Sequence, residues 1–397
     1  MQPGDILTIT PVELVAGGEA LARVDGFPVF ASNVYPGDVA RVRLYDVKKG
    51  FAKADLVELL TPSPSRRLAP CPVAGECGGC DWTSLRLDKQ LEAKRHILSE
   101  SLRRIGKFDV NLLPDIHIHP SPLNYRLRSR LHRDGDTVGF YALRSNRIVP
   151  LAAECEVVGV QTARLLGKPK NQEPAPSPPG TPASPPAGQG ASRSREELRE
   201  EELWELGDQV IRDERDLTIT VDTFTYRLNT RAFFQVNRHL LGTMLRLVTA
   251  HAARVKNRVR AADLYGGAGF FTVPMARLFE RVTMIEGSPV AVRFARMNVP
   301  RNVKVIAASV EHAIRDMRDV DFTFLDPPRA GASREVIDAV SQRTKEIIAY
   351  LSCDPVTFSR DASRLIASGW RLASLDLLDL FPNTHHVETL SSFEREP

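Results

Sequence analysis

The sequence predicts an α/β protein. A doubly wound, largely parallel sheet fills the C-terminal half, a small all-β module stands at the N-terminus, and a cysteine-bearing region lies between them. Three observations lead there. From residue 217 onward, short apolar runs at 261–264, 282–285, 303–306, 322–325 and 347–351 alternate with helical patterns, the rhythm of strands joined by crossover helices. Residues 1–60 instead alternate apolar and polar side chains between turn residues. The 397 residues also exceed what one ordinary core accommodates.

Composition narrows the class. Hydrophobic residues make up 43% and charged residues 26%, the balance of a soluble globular protein. No run approaches the roughly 18 apolar residues of a membrane span, and the start, MQPGDILTIT, lacks the basic and apolar regions of a signal peptide. The expected compartment is the cytosol, with no membrane partner. The net charge of +4 decides little, but its distribution is informative. Residues 86–150 hold thirteen Lys+Arg against seven Asp+Glu, and residues 193–216 hold five against ten. A basic central segment suits a polyanion, although a solvated charged face reads the same way on charge alone.

Within residues 1–60, the alternating runs at 5–9, 28–30 and 39–44 are punctuated by Gly17-Gly18, Asp25-Gly26 and Pro36-Gly37-Asp38. Short strands at that spacing suggest a small barrel. Residues 61–82 form a loop rich in Pro, Cys and Gly. Leu91, Leu98, Leu102 and Ile105 recur on one face of a helix over 86–106. In the segment 125–132, alternation puts Arg126, Arg128, Arg130 and His132 on one face of a strand. That row fits a sugar-phosphate track better than the edge protection a charged strand also supplies. Residues 169–192 carry eight of the 28 prolines and read as a flexible spacer. An acidic helix is expected over 195–211. Beyond it, residues 219–228 are strand-like, and Leu240, Leu241, Met244, Leu247 and Val248 form a helical stripe with Asn237 as a candidate N-cap. The runs at 372–378 and 387–392 have no helix between them and are expected as an antiparallel pair at one sheet edge.

Three of the five cysteines, Cys71, Cys77 and Cys80, sit close together around Gly78-Gly79, and Cys155 lies far along the chain. Three clustered thiols with a distant fourth suit a four-thiolate metal site. Zinc usually draws its ligands as two close pairs, which favours [4Fe–4S] over Zn²⁺. Asp263-Leu264-Tyr265-Gly266-Gly267-Ala268-Gly269 follows an expected strand and opens a helix, and Glu286 ends the next strand about 20 residues on. Such a turn lets a ligand approach the backbone closely, and the carboxylate can accept both ribose hydroxyls of an adenosine. Because G-x-G-x-x-G is absent, S-adenosylmethionine is the better expectation than a dinucleotide. Asp326-Pro327-Pro328-Arg329-Ala330-Gly331 ends the fourth strand and Ser352-Cys353-Asp354-Pro355 the fifth, at the sheet edge where ligands bind. A thiol at that edge is a candidate nucleophile, although an isolated cysteine there is usually structural. Glu388 alone reads as solvated.

Taken together, Cys71/Cys77/Cys80/Cys155, Phe234-Gln235-Val236-Asn237, DLYGGAG, DPPRAG, Ser352-Cys353-Asp354-Pro355 and the segment from Asp379 to Glu388 resemble the RNA 5-methyluridine methyltransferase family over nearly the whole chain. The resemblance implies a Rossmann-like S-adenosylmethionine methyltransferase domain at 195–397, an N-terminal OB-like TRAM barrel at 1–60 that binds RNA, a central iron–sulfur and RNA-binding α+β region at 61–168, and a Pro-rich insert at 169–194 that is not typical. It further implies Cys353 as nucleophile, Glu388 as base, Gln235, Tyr265, Glu286 and Asp326 around S-adenosylmethionine, and a [4Fe–4S] cluster on Cys71, Cys77, Cys80 and Cys155. Gly266, Phe270 and Ser309 depart from the family pattern. The expected reaction is methylation of C5 of a uridine in RNA, 23S rRNA before the tRNA T-loop, with no obligate protein partner. Methylation of an amino group, which needs no thiol, and RNA binding without catalysis are the competing readings.

Overall fold

The computed structural model describes residues 1–167 and 199–395. The Pro-rich spacer expected at 169–194 lies outside these residues. The chain divides into two compact units, one of residues 1–97, 122–212 and 381–386, the other of residues 98–121, 213–380 and 387–397.

The first unit holds two sheets. Strands β1 (Ile6–Ile9), β2 (Glu13–Leu14), β3 (Ala20–Val24), β4 (Phe27–Ser32), β5 (Val39–Val47) and β6 (Ala52–Thr61) form a six-stranded sheet in the order β1-β5-β6-β4-β3-β2. The alternation seen in the sequence is realised directly: Ala40, Val42 and Leu44 are buried while Arg41 and Arg43 face out. β1 and β2 stand at the two edges with no ladder between them, so the strand pairing is that of an open sheet. Helix α1 (Leu87–Arg104) follows and passes from the first unit into the second. Strand β7 (Ile116–His119) belongs to the second unit. Back in the first, β8 (Arg128–Asp134), β9 (Thr137–Tyr141), β10 (Ile148–Pro150), β11 (Arg199–Leu206) and β12 (Gln209–Ile211) make a five-stranded sheet, with helix α2 (Val160–Leu166) between β10 and β11 in the chain.

The helix expected over 195–211 is a strand pair over its described part, and the pairing explains the acidity. β11 runs antiparallel to β8, setting Glu202 opposite Arg130 and Glu200 opposite His132. Arg128 forms an ion pair with Glu202, and Arg133 reaches Glu201 at 2.8 Å. Opposite charges across an antiparallel pair stabilise it, so here a glutamate run is strand chemistry.

The second unit opens with the hairpin β13 (Asp216–Val221) and β14 (Phe224–Asn229), split by the left-handed Asp222, and helix α3 (Leu241–Ala253). Then come β15 (Arg260–Leu264), α4 (Thr272–Met275), β16 (Arg281–Glu286), α5 (Pro289–Asn298), β17 (Val303–Ala307), α6 (Val310–Ala313), β18 (Val320–Leu325), α7 (Arg334–Arg343), β19 (Thr344–Ser352), α8 (Pro355–Ala367), β20 (Trp370–Leu378) and β21 (Glu388–Arg395). The eight-stranded sheet runs β17-β16-β15-β18-β19-β21-β20-β7. Its first five strands are parallel. All six residues of β18 are buried, as a central strand covered on both faces must be. The two last strands pair as expected, but not as an edge: β21 lies between β19 and β20, and β7 adds the outermost strand, parallel to β20.

Candidate functional site

The strand ends of the second unit gather the catalytic candidates. β19 and β21 are antiparallel with Ser352 opposite Thr389. One step further along that register stand Cys353, leaving β19, and Glu388, opening β21. Asp326 leaves β18, whose Leu325 pairs with Tyr350 of β19 and with Leu264 of β15. The three groups feel one another. Burial pushes the Cys353 thiol up to about 12, aided by the negative charges of Glu388 and Asp326, while Arg329 pulls the other way. Glu388 is 5% exposed, and burial followed by the charge of Asp326 holds its carboxyl well above the usual range. Asp326 is raised to about 7 by burial and by Asp263, and a hydrogen bond from Gln235 Nε2 (3.0 Å) opposes the shift.

The glycine-rich turn supplies the other wall. Tyr265 and Gly267 adopt φ of 65° and 58°. A Cβ at Gly266 would stand 2.7 Å from Met284, so the turn is closed to side chains there. Glu286 anchors it: Oε2 accepts from Gly267 N–H at 2.9 Å and Oε1 from Ser288 N–H at 2.6 Å. Each oxygen keeps a lone pair for a further donor. The Tyr265 hydroxyl donates to Glu311 Oε1 at 2.8 Å. Phe270 packs against Tyr226 and Phe234 with ring centroids 5.3 and 5.1 Å apart, which leaves it a core residue. Ser309 caps α6, its hydroxyl accepting from His312 N–H. Asn237 does not cap α3 at the N-cap position, which is Leu240. From three residues upstream its Oδ1 still accepts from the N–H groups of His239 (3.0 Å) and Leu240 (3.2 Å) that lead into α3, while its Nδ2 donates to Ser121 Oγ (2.8 Å) and Leu380 O (2.9 Å).

Two residues that the sequence reading quoted but gave no role now stand out. Asp263, at the end of β15, is fully buried. Thr272 bonds one of its oxygens, and the other, Oδ1, has no hydrogen-bond partner among the described residues. Burial raises this carboxyl to about 7. Arg329 is the cation whose charge acts on the Cys353 thiol. The signal for both was position: Asp263 lies at the carboxyl end of β15, and Arg329 in the loop that leaves the carboxyl end of β18. Asp263, Asp326 and Glu388 make the site electrostatically incomplete, with buried acids raised by burial and by their neighbours' charge. Such a set favours a cationic ligand, and S-adenosylmethionine, a sulfonium with an ammonium group, fits it.

The first unit holds the other candidate site. Cys71, Cys77, Cys80 and Cys155 line one small cavity with Phe140, Leu151 and Val157. The glycines between Cys77 and Cys80 are explained by close approach. A Cβ at Gly78 would stand 2.8 Å from the carbonyl of Tyr141, and one at Gly79 would stand 2.9 Å from the Phe140 ring. Gly79 N–H points at Cys77 Sγ, 3.4 Å away. Burial pushes the thiols of Cys71, Cys77 and Cys80 up, Cys71 to about 12, and Arg126 opposes the shift at Cys77 and Cys80. Among the described residues no three His, Cys, Asp or Glu side chains are arranged to hold a metal ion.

The arginine row of β8 divides. Arg126 precedes the strand and lies over the Phe140 ring (5.2 Å), beside the cysteines. Arg128 lies over Trp204 and pairs with Glu202. Arg130 is the exposed member, 3.9 Å from Glu200 and Glu202. A continuous phosphate track along this face is therefore not what the strand presents. Among the described residues no helix is long and apolar enough to cross a membrane.

Comparison with known proteins places these features in a family. The profile of the tRNA (uracil-5-)-methyltransferase family matches residues 205–395, and that of the TRAM domain matches residues 4–57. An RNA methyltransferase of Gloeobacter violaceus is 30% identical over 446 aligned positions, covering 99% of this chain and 97% of its own. The 23S rRNA (uracil(1939)-C(5))-methyltransferase of Edwardsiella ictaluri is 30% identical, covering 98% of this chain and 96% of its own. Among solved structures, the tRNA (uracil-54, C5)-methyltransferase of Pyrococcus abyssi, determined with S-adenosyl-L-homocysteine, superposes with a TM-score of 0.70. It shares 24% identity and covers 97% of this chain and 99% of its own.

Proposed function

Since the chain belongs to the RNA uracil-C5 methyltransferase family, we propose that it methylates C5 of a uridine in 23S rRNA through a covalent adduct on Cys353. The observation that carries the mechanism is the register of β19 and β21, which brings a thiol and a buried carboxyl to one strand end beside Asp326.

C5 of uracil is a weak nucleophile. Once its proton has left to solvent, the Cys353 thiolate adds to C6, and the ring becomes an enolate with its electron density at C5. S-Adenosylmethionine, when bound, would supply an electrophilic methyl group to C5, its S–CH3 bond breaking to leave the neutral thioether. Glu388, as its carboxylate, then removes the C5 proton. The electron pair of that bond restores the C5–C6 double bond and expels the Cys353 sulfur. Gln235, Tyr265, Glu286 and Asp326 are the residues that would hold the methyl donor, Gln235 acting through its bond to Asp326. Arg329 eases formation of the thiolate. Amino-group methylation gives neither Cys353 nor Glu388 a task, and binding without catalysis leaves their costly burial unexplained. The target base must be free of the stack to be attacked.

The rRNA substrate rests on relatives so named that align end to end. The four thiols around one cavity support a [4Fe–4S] cluster there. Arg126 is placed to offset the negative charge of thiolate ligands, since its charge already acts on Cys77 and Cys80. Such a cluster would hold the loop at 71–80 to residue 155 and carries no step of the methyl transfer.

The deciding experiment is Cys353→Ala, assayed for methyl transfer and for capture of 5-fluorouridine RNA on a denaturing gel. Both are lost if Cys353 is the nucleophile, and retained activity removes the mechanism. Mass mapping of modified uridines in 23S rRNA and tRNA after gene deletion identifies the substrate. A brown purified protein supports iron–sulfur, and a colourless one containing zinc excludes it.

A further inference from the structure

Glu388 is placed without help from its own side chain: its carboxyl takes part in no hydrogen bond among the described residues, and only burial and the charge of Asp326 act on it. Its position comes from the backbone, from β21 on one side and, with only Val387 between, from residues 381–386 on the other. Those six residues are the piece of the C-terminal chain that groups with the first unit, and the chain rejoins the second at Val387.

Asn383 is where this segment is fixed. It is fully buried with φ of 66°, in the left-handed region that Asn tolerates better than most side chains. Its Oδ1 accepts from Arg67 Nη2 at 2.9 Å and from Gln90 Nε2 at 3.0 Å. Its Nδ2 donates to Glu156 Oε2 at 2.9 Å, and its N–H donates to Gln90 Oε1 at 2.7 Å. Its carbonyl accepts from the N–H groups of Asp81 (3.2 Å) and Trp82 (3.0 Å). Asp81 and Trp82 directly follow Cys80, and Glu156 directly follows Cys155. Asn383 also borders the cavity that the four thiols line. A second tie runs beside it: Asp81 accepts from His385 N–H at 3.1 Å and pairs with the His385 ring at 2.6 Å.

We infer that Asn383 is a positioning residue for the general base, joining the chain that flanks Cys80 and Cys155 to the segment that delivers Glu388. The inference rests on the reading of Cys353 as nucleophile and Glu388 as base. It assigns a use to the density of bonds at one residue. A turn needs only its backbone satisfied, yet the Asn383 amide is bonded at both ends to side chains from three separate stretches of chain, Arg67, Gln90 and Glu156.

The chemistry supplies a readout that loss of stability does not imitate. Once C5 carries the methyl group, the Cys353–C6 bond breaks only after the C5 proton leaves. A displaced base therefore strands the enzyme on its RNA. Full-length Asn383→Gly keeps access to the left-handed backbone and removes the amide. Asn383→Asp keeps the oxygen that Arg67 and Gln90 bond and loses the donor to Glu156. Each is incubated with an in vitro 23S rRNA transcript of ordinary uridine and S-adenosylmethionine, beside wild type, Cys353→Ala and Glu388→Gln. The expected result for Asn383→Gly is turnover slower on the order of 10²-fold, as a small misplacement of a catalytic group gives. A covalent enzyme–RNA band like that of Glu388→Gln, unchanged S-adenosylmethionine binding and faster hydrogen exchange at residues 384–388 accompany it. Asn383→Asp shows the same band at lower yield, and carries the test if the glycine variant does not fold. Wild-type turnover in both variants, or turnover lost with no adduct, overturns the inference. If Glu388→Gln gives no adduct while wild type still captures 5-fluorouridine RNA, the base assignment is wrong and the inference falls with it.

Discussion

Without its cofactor the enzyme should be alkylated slowly at Cys353, to a degree that follows from the burial of the thiol. Its thiol is raised from 9.0 to about 12, by burial first and then by Glu388, Asp326 and Asp354. At pH 8 a thiol titrating at 9.0 is about one-tenth thiolate and one titrating at about 12 only about 10⁻⁴, a deficit of roughly 10³-fold. The more basic thiolate is also the better nucleophile, which returns about 20-fold at a Brønsted slope of about 0.45. Iodoacetamide should therefore label Cys353 about 40-fold more slowly than an exposed cysteine. The rate should climb about tenfold per pH unit as far as pH 10 with no plateau. Peptide mass spectrometry follows this site separately from Cys71, Cys77, Cys80 and Cys155. A second arm compares S-adenosylmethionine with S-adenosylhomocysteine, which differ by one methyl group and one positive charge. The cation should quicken labelling relative to the neutral thioether, since a nearby positive charge favours thiolate. A plateau near pH 9, or equal rates with the two ligands, would falsify the electrostatic account of the site.

The same charges predict further outcomes. Asp326→Asn removes a negative neighbour of both Cys353 and Glu388, so labelling of Cys353 should accelerate while S-adenosylmethionine binds more weakly in calorimetry. Asp263 titrates at about 7 when folded against an ordinary 3.8. The folded state thus holds this proton more tightly than the unfolded one. Stability is greatest below pH 4 as far as this group is concerned and falls as pH rises toward 7, by at most about 4 kcal/mol. Asp263→Asn keeps a partner for Thr272 and should flatten that decline in urea midpoints measured from pH 4 to 8; an unchanged slope refutes the burial argument. Gly18 has φ of 87°, and a Cβ there would stand 2.4 Å from Asp81 Oδ2 and 2.8 Å from His385 Cβ. Gly18→Ala should cost roughly 1–3 kcal/mol and raise hydrogen exchange at His385, whereas a neutral melting temperature contradicts the packing.

Much of this was readable from local pattern. The five parallel strands were visible as apolar runs because strands covered on both faces cannot disguise their composition. Cys353 and Asp326 were visible because ligands gather at the carboxyl edge of such strands. What could not be read depends on partners distant in the chain. Ile116-His117-Ile118-His119 is four residues long and pairs with a strand some 260 residues later, so nothing nearby marks it as part of the sheet. Residues 199–206 look helical until β8 is laid beside them, with Glu202 opposite Arg130 and ion pairs from Arg128 to Glu202 and from Arg133 to Glu201. The same pairing takes Arg128 out of the phosphate track that alternation alone suggests, since the period of a strand tells which side chains share a face and not what faces them. Glu388 carried no local signal at all. Its meaning comes from Ser352 standing opposite Thr389.

The burial of so many acids near one thiol is destabilising by itself, and that cost is informative. Asp263, Asp326 and Glu388 could each be neutralised by a lysine or arginine at van der Waals distance, yet Arg329, the cation that acts on the thiol, is 63% exposed at its side chain. A permanent buried cation would complete the charge balance and so repel the positively charged methyl donor the family uses. Leaving the balance open does the reverse. Burial and the neighbouring carboxylates push the Cys353 thiol up to about 12, which disfavours its thiolate. A cation entering beside it relieves the carboxylates and lowers the cost of the thiolate in one act. With Cys353 as the proposed nucleophile, its activation would be coupled to arrival of the donor without any moving part. Stability is spent where function needs it, as expected when natural proteins break local rules at their sites. A Lys substitution at Asp326, within reach of Cys353 and Glu388, should accordingly give a more stable protein with a readily alkylated thiol and no methyl transfer.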